Sequence, residues 1–259
     1  MSTPNPAELF DVGDRVAVVT GGGRGIGRAL AEGLAAAGAK VVVASRSGDV
    51  CEETARAIEA AGGTALALAA DVTKPEARDE LIDATIAAFG RLDILVNNAG
   101  ILKPHRTEKV TDDEFDEIFR VNVKGPVFLS QRALPHLSAD GGGSIVNISA
   151  LGAFQPMVGI GAYCAAKAAM VNWTNTMAKE WAAQRVRVNL VVPGPVATDM
   201  ILPRDPDQRA AFVEQMAGET LVGRLAEPED LLGAVLFLAS DASGFMTGRS
   251  MFLDGGMLV

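Results

Sequence analysis

Short apolar runs alternating with helical stretches constrain this chain more than any other feature. Val16 to Val19, Lys40 to Ser45, Thr64 to Ala69 and Leu92 to Val96 have the length and the aliphatic content of strands covered on both faces. Between them, the segment from Gly25 onward, Cys51 to Ala61 and Pro75 to Phe89 show helical spacing, the last with Pro in its first turn. Strand, helix and strand wound in one direction require a parallel sheet, because each return to the sheet crosses over through a helix. Ligands of such sheets sit beyond the carboxyl ends of the strands, so each strand exit is informative.

At the first exit the chain reads Thr20-Gly21-Gly22-Gly23-Arg24-Gly25-Ile26-Gly27. A loop this poor in side chains lets a pyrophosphate approach the backbone, and the following helix directs unpaired N–H groups and its positive dipole end at that charge. A glycine string also serves tight packing alone, so the other exits matter. At the second exit Ser45 and Arg46 stand where an acidic residue would accept hydrogen bonds from an adenosine ribose. A hydroxyl and a guanidinium, with Arg24 on the same side, suit a 2′-phosphate instead, which predicts NADP(H), with NAD(H) still possible. At the third exit Asp71-Val72 is placed to meet the adenine amino group. At the fourth, Asn97-Asn98-Ala99-Gly100 leaves the crevice free of bulk.

Thr111 to Leu137 reads as one long helix with Gly125-Pro126 in its middle. Pro126 has no N–H, so the carbonyl four residues back, that of Asn122, is freed for a water or ligand. Gly141-Gly142-Gly143 leads to a fifth strand, Ser144 to Ser149, and the helix opened by Tyr163 continues through Trp181. Tyr163 and Lys167 are four apart and share a helix face. An ammonium beside a phenol favours the phenolate and moves it toward the range useful for acid–base chemistry. Arg187 to Val192, Pro228 to Ser240 and Ser250 to Leu253 add a strand, a helix and a last strand.

These residues resemble the short-chain dehydrogenase/reductase family: Thr20-Gly21-x-x-x-Gly25-x-Gly27, Asn98-Ala99-Gly100, Asn122, Tyr163-x-x-x-Lys167 and Pro193-Gly194. The likeness runs from about Val12 to the end. It implies a single Rossmann-like domain, a doubly wound parallel sheet of about seven strands with helices on both faces. Residues 1–11 would be a short extension, with a cofactor half over about 12–110 and a catalytic half over about 111–259. It further implies Tyr163 as general acid/base, Lys167 tuning Tyr163 and holding the cofactor ribose, and Asn122 with a water completing the proton path. Pro193 to Thr198 would orient the nicotinamide, with the Val196 backbone and the Thr198 hydroxyl near its carboxamide, and Asp199 to Gly223 would cover the substrate. The family's usual serine, thirteen residues before the tyrosine, is here Ala150. Ser149 is adjacent, but one step along a strand reverses the side-chain direction, so it replaces that hydroxyl only if the strand end bulges or unwinds.

Two functions follow. The first is hydride transfer between NADP(H) and a secondary alcohol or ketone, and the second is nucleotide binding with little turnover, as a sensor or partner subunit. Leu102, Phe154, Gln155, Met157, Met200 and Ile201 are the candidate pocket, mostly apolar, which suits a medium-sized, partly hydrophobic carbonyl compound. Sugar acids, acyl thioesters and steroids all stay open. A net charge of −9 and pI near 4.8, with no basic run, argue against nucleic acid. Met1 to Phe10 has neither the basic start nor the apolar core of a signal peptide, and no apolar stretch spans a bilayer, so no membrane partner and a cytoplasmic location are expected. Cys51, Cys164, His105 and His136 lack ligand spacing, so no metal is expected. The apolar end Met257-Leu258-Val259 suits a subunit contact in a homodimer or homotetramer, or a tail tucked on its own chain.

Overall fold

The computed structural model describes residues 5–259. Among these, seven strands form one parallel sheet: β1 Val16–Thr20, β2 Lys40–Ser45, β3 Thr64–Ala69, β4 Ile94–Asn97, β5 Ser144–Ile148, β6 Arg187–Pro193 and β7 Ser250–Leu253. Their spatial order is β3-β2-β1-β4-β5-β6-β7, so the winding reverses between β1 and β4 and opens a crevice there. The helices are α1 Pro6–Leu9, α2 Gly25–Ala36, α3 Gly48–Ala60, α4 Pro75–Phe89, α5 Asp112–Phe119, α6 Gly125–Leu137, α7 Gly161–Trp181, α8 Pro206–Gly218 and α9 Leu232–Ala239.

Side-chain alternation divides the core into two layers. Ala17, Val19, Ile94, Val96, Val146 and Ile148 face Leu30 and Leu34 of α2, Ile58 of α3 and Val235 of α9. Val18, Leu95 and Ile145 face the other way, onto Leu81 and Ile82 of α4, Leu129 of α6 and Met177 of α7. Burying each such aliphatic side chain stabilises the sheet by roughly 1.5–3 kcal/mol, and both faces are needed because a parallel sheet has no solvated side. No helix of the described residues is long and apolar enough to cross a membrane.

The stretch expected as one helix, Thr111 to Leu137, is instead α5, a π-helical turn over Arg120–Lys124, and α6. Thr111 and Glu114 cap α5 reciprocally, and the Gly125 N–H donates to the Arg120 carbonyl, five residues back. Pro126 supplies the reason: its ring would crowd the Asn122 carbonyl and it cannot donate to it, so the helix widens before the proline. The Pro228 to Ser240 helix begins as a 3₁₀ turn, Pro228–Leu231. Of the apolar end, Met257 and Leu258 pack on Leu151, Met170, Leu190 and Val192 of their own chain, tethered by Asp254, which accepts from the Gly256 and Leu258 N–H groups. Val259 is exposed.

Candidate active site

The crevice between β1 and β4 is closed at its base by Thr20 and Asn98. The Thr20 hydroxyl oxygen accepts from the Asn98 and Ala99 N–H groups, both at 3.1 Å. The Asn98 side-chain amide donates to the Thr20 and Gly21 carbonyls, at 3.0 and 3.4 Å. Asn98 therefore holds the glycine loop itself, and Thr20, the first residue of the glycine motif, is the other half of that tie. Gly21 has a φ of 66°, and a Cβ on Gly27 would lie 2.1 Å from the Gly21 oxygen. The loop can close onto the start of α2 only without those side chains, which leaves the backbone cradle a pyrophosphate requires. A Cβ on Gly25 would lie 3.3 Å from Thr198 Cγ2, so the segment after β6 reaches the glycine loop. Ile26 completes the first turn of α2 beside it.

At the second exit Arg24 and Arg46 are exposed and form no ion pair among the described residues. Ser45 is turned inward instead: its hydroxyl donates to the Ser47 carbonyl at 3.0 Å and lies 3.0 Å from Cys51 Sγ. At the third exit Asp71 Oδ1 accepts from the Thr73 N–H at 3.0 Å and the Thr73 hydroxyl at 2.8 Å. Burial alone would raise the Asp71 pKa; Thr73, with the Arg46 and Lys74 charges, outweighs it and holds the carboxylate below its ordinary value. Val72 is buried beside it.

The side chains expected to be reactive from the sequence meet where the π turn, α7 and the end of β4 converge. Asn122, 2% exposed, grips Ile101: its Oδ1 accepts from the Ile101 N–H and its Nδ2 donates to the Ile101 carbonyl, both at 2.9 Å. A Cβ on Gly100 would lie 2.9 Å from Asn122 Oδ1 and 3.7 Å from Lys167 Nζ, which puts the three residues in one cluster. Lys167 Nζ donates to the Ile148 carbonyl at 2.8 Å and stands 5.6 Å from the centre of the Tyr163 ring. Burial lowers the Lys167 pKa to about 8. The expectation that Lys167 would bring the Tyr163 phenol down is corrected here. Burial pushes the Tyr163 phenol well above its ordinary value, with the adjacent Cys164 acting in the same direction.

Ser149 does not turn toward the cleft. Its N–H still pairs with the Val191 carbonyl at 2.8 Å, and Ala150 is fully extended at φ −162° and ψ 162°, so the strand end neither bulges nor unwinds. The Ser149 hydroxyl, on a residue 3% exposed, faces the Lys167 carbonyl at 3.4 Å. Pro193, the last residue of β6, is buried; beyond it the Ala197 N–H donates to the Ala226 carbonyl at 2.8 Å, while the Thr198 hydroxyl donates to the Val196 carbonyl at 3.4 Å. Among the expected pocket residues Phe154 is half-exposed. Its ring meets Phe252 of β7 edge-on, with centroids 4.8 Å apart.

A family profile described as enoyl-(acyl carrier protein) reductase matches residues 21–258. The chain is 36% identical to 2-dehydro-3-deoxy-D-gluconate 5-dehydrogenase of Escherichia coli, covering 96% of this chain and 97% of that one. It is 37% identical to 7alpha-hydroxysteroid dehydrogenase of Clostridium sardiniense, over 93% and 92% of the two chains. Among solved structures, a gluconate 5-dehydrogenase from Burkholderia cenocepacia in complex with NADP and tartrate superposes with a TM-score of 0.92 at 34% identity, covering 98% of both chains. With a matching profile over nearly its whole length and these relatives, the chain is an NAD(P)-dependent oxidoreductase and belongs to the short-chain dehydrogenase/reductase family.

Proposed function

We propose that the protein interconverts a ketone and a secondary alcohol with NADP(H), and that Tyr163 is the group that moves the proton. The observation carrying this reading is the cluster of Tyr163, Lys167 and Asn122 beside Gly100, next to a glycine cradle that fits a dinucleotide. Gly21, Arg24, Gly25, Ile26 and Gly27 would hold the pyrophosphate, and Ser45 with Arg46 the 2′-phosphate. Asp71 and Val72 would take the adenine, Asn98 to Gly100 the adenosine side of the crevice, and Tyr163, Lys167, Pro193, Val196 and Thr198 the nicotinamide end. The bound cofactor supplies or accepts a hydride. In the reducing direction Tyr163 Oη would give its proton to the carbonyl oxygen, and the Lys167 ammonium would return one to it, resupplied by a water that the Asn122 carbonyl would hold as acceptor. A phenol held protonated by burial suits that role.

A second reading, nucleotide binding with little turnover, is favoured by one observation: Ala150 brings no hydroxyl and Ser149 faces α7. Losing one donor to a developing oxyanion lowers the rate by about 10²- to 10³-fold. The test is NADPH oxidation by the purified protein with a panel of ketones and acyl thioesters, run beside NADH and beside Ala150→Ser. Turnover by the natural protein with NADPH preferred supports the reductase reading. Tight NADPH binding without turnover, relieved in Ala150→Ser, supports the second.

A further inference from the structure

The inward face of α4 consists of Arg78, Leu81, Ile82 and Thr85. An arginine in that stripe is anomalous, because burying a guanidinium opposes folding unless it is paired. Arg78 is 6% exposed and forms no ion pair among the described residues. The nearest acid in sequence, Asp79, pairs with Arg132 instead. Arg78 lies 5.5 Å from the centre of the Phe128 ring on α6, and its Nη1 donates to the Val72 carbonyl at 2.8 Å.

That carbonyl belongs to the peptide group whose N–H, on Thr73, donates to Asp71 Oδ1. A charged donor on the oxygen of a peptide strengthens the bond its N–H makes. The chain from the Arg78 guanidinium through the Val72–Thr73 peptide to Asp71 therefore fixes the carboxylate. Both of its bonds fall on Oδ1, and Oδ2 has no hydrogen-bond partner among the described residues. On the other side of the turn, a Cβ on Gly125 would lie 2.9 Å from Val72 Cγ2 and 3.3 Å from the Val72 oxygen, so the start of α6 seats the same residue.

We propose that Arg78 is a positioning residue for the adenosine end of the dinucleotide: it holds the Asp71-Val72 turn so that Asp71 Oδ2 stays free and aimed for the adenine amino group. This rests on the cofactor reading above. Arg78 touches no part of the ligand and acts only through the turn.

Arg78→Met separates this from a structural role. It keeps the volume and removes a buried charge, which offsets the loss of the bond to the Val72 carbonyl. Dissociation constants are measured by fluorescence titration for NADPH and for 2′-phospho-ADP-ribose, which lacks the nicotinamide. The Michaelis constant for reduced nicotinamide mononucleotide, which lacks the adenosine, is taken from ketone reduction, and melting temperature is recorded alongside. The expected result is about tenfold weaker binding of NADPH and of the adenosine fragment, an unchanged constant for the mononucleotide, and no fall in melting temperature. Arg78→Lys, which keeps a charged donor, regains binding. Natural-strength NADPH binding by Arg78→Met overturns the proposal, as does an equal loss for both halves with a lower melting temperature. If the natural protein binds neither NADPH nor the fragment, the cofactor reading itself fails, and the proposal with it.

Discussion

Helices α7 and α8 both follow a strand whose carboxyl end opens into the cleft, yet they are built oppositely. α7 runs for 21 residues and buries Cys164, Ala166, Lys167, Met170, Thr174, Met177 and Ala178; α8 runs for 13 and buries none. The buried face of α7 includes the Lys167 ammonium, so the group proposed to serve Tyr163 is held with the stiffness of the core. α8 leaves Val213 and, on its approach, Met200 in contact with water. Fixed geometry belongs where a proton is transferred, and loosely packed chain where substrates of differing shape must be covered.

Substitutions in the two helices test that division. Tyr163→Phe is expected to lower turnover by about 10²- to 10⁴-fold while weakening NADPH far less; equal losses in both would show that α7 positions the cofactor more than it supplies the proton. Lys167→Met probes what rigidity has demanded. The folded pKa of Lys167, about 8, lies below its unfolded value, so the unfolded chain binds more protons between the two. At neutral pH the folded state therefore carries a penalty on the order of 3 kcal/mol, relieved as pH rises from about 8 to 10. Burial raises the pKa of Cys51 and Cys164, which acts in the opposite sense over that range. The readout is hence the difference between the natural protein and Lys167→Met in urea unfolding: the variant is more stable at neutral pH, and its advantage shrinks toward pH ~10. A constant difference would place the ammonium in a solvated setting.

Ala150→Ser, just before α7 in the chain, is expected to raise kcat by about tenfold or more, whereas Ser149→Ala leaves it near the natural value. A collapse of activity in Ser149→Ala would mean that the hydroxyl leaves the Lys167 carbonyl during turnover. Smallest of all is Val213→Ser on α8. Its effect on unfolding free energy stays within about 0.5 kcal/mol, with any kinetic change confined to KM for the carbonyl substrate. A large stability loss there would show α8 to be part of the core.

The sheet was legible because each expected strand carried its own apolar run and its own punctuation, from Val16 to Leu253. The direction of Ser149 was legible too, since strand alternation is a strict geometric rule. The π turn was not, because Arg120 to Lys124 has no periodicity that distinguishes it from α-helix, and Pro126 announces a disturbance without specifying its form. The upward push of burial on the Tyr163 phenol was not legible, because desolvation is a quantity that exists only after folding. Arg78 escaped notice because an arginine within helical spacing reads as solvated until the sheet beneath it is known. The contact of the Phe154 ring with Phe252, about a hundred residues later, was not legible, because it depends on how β7 joins the sheet.

The short bridge between Val196 and Ala226, with the Ala197 N–H on the Ala226 carbonyl, ties together the two ends of everything between them. The segment from Asp199 to Gly223 is thus an insert clipped to the scaffold at its neck. Lengthening a loop whose ends are already joined changes its closure entropy only logarithmically. Up to Thr220, beyond which the Leu221 and Val222 N–H groups bond the Gly255 carbonyl, this stretch can therefore gain, lose or exchange residues while the strands, the glycine cradle and α7 remain as they are.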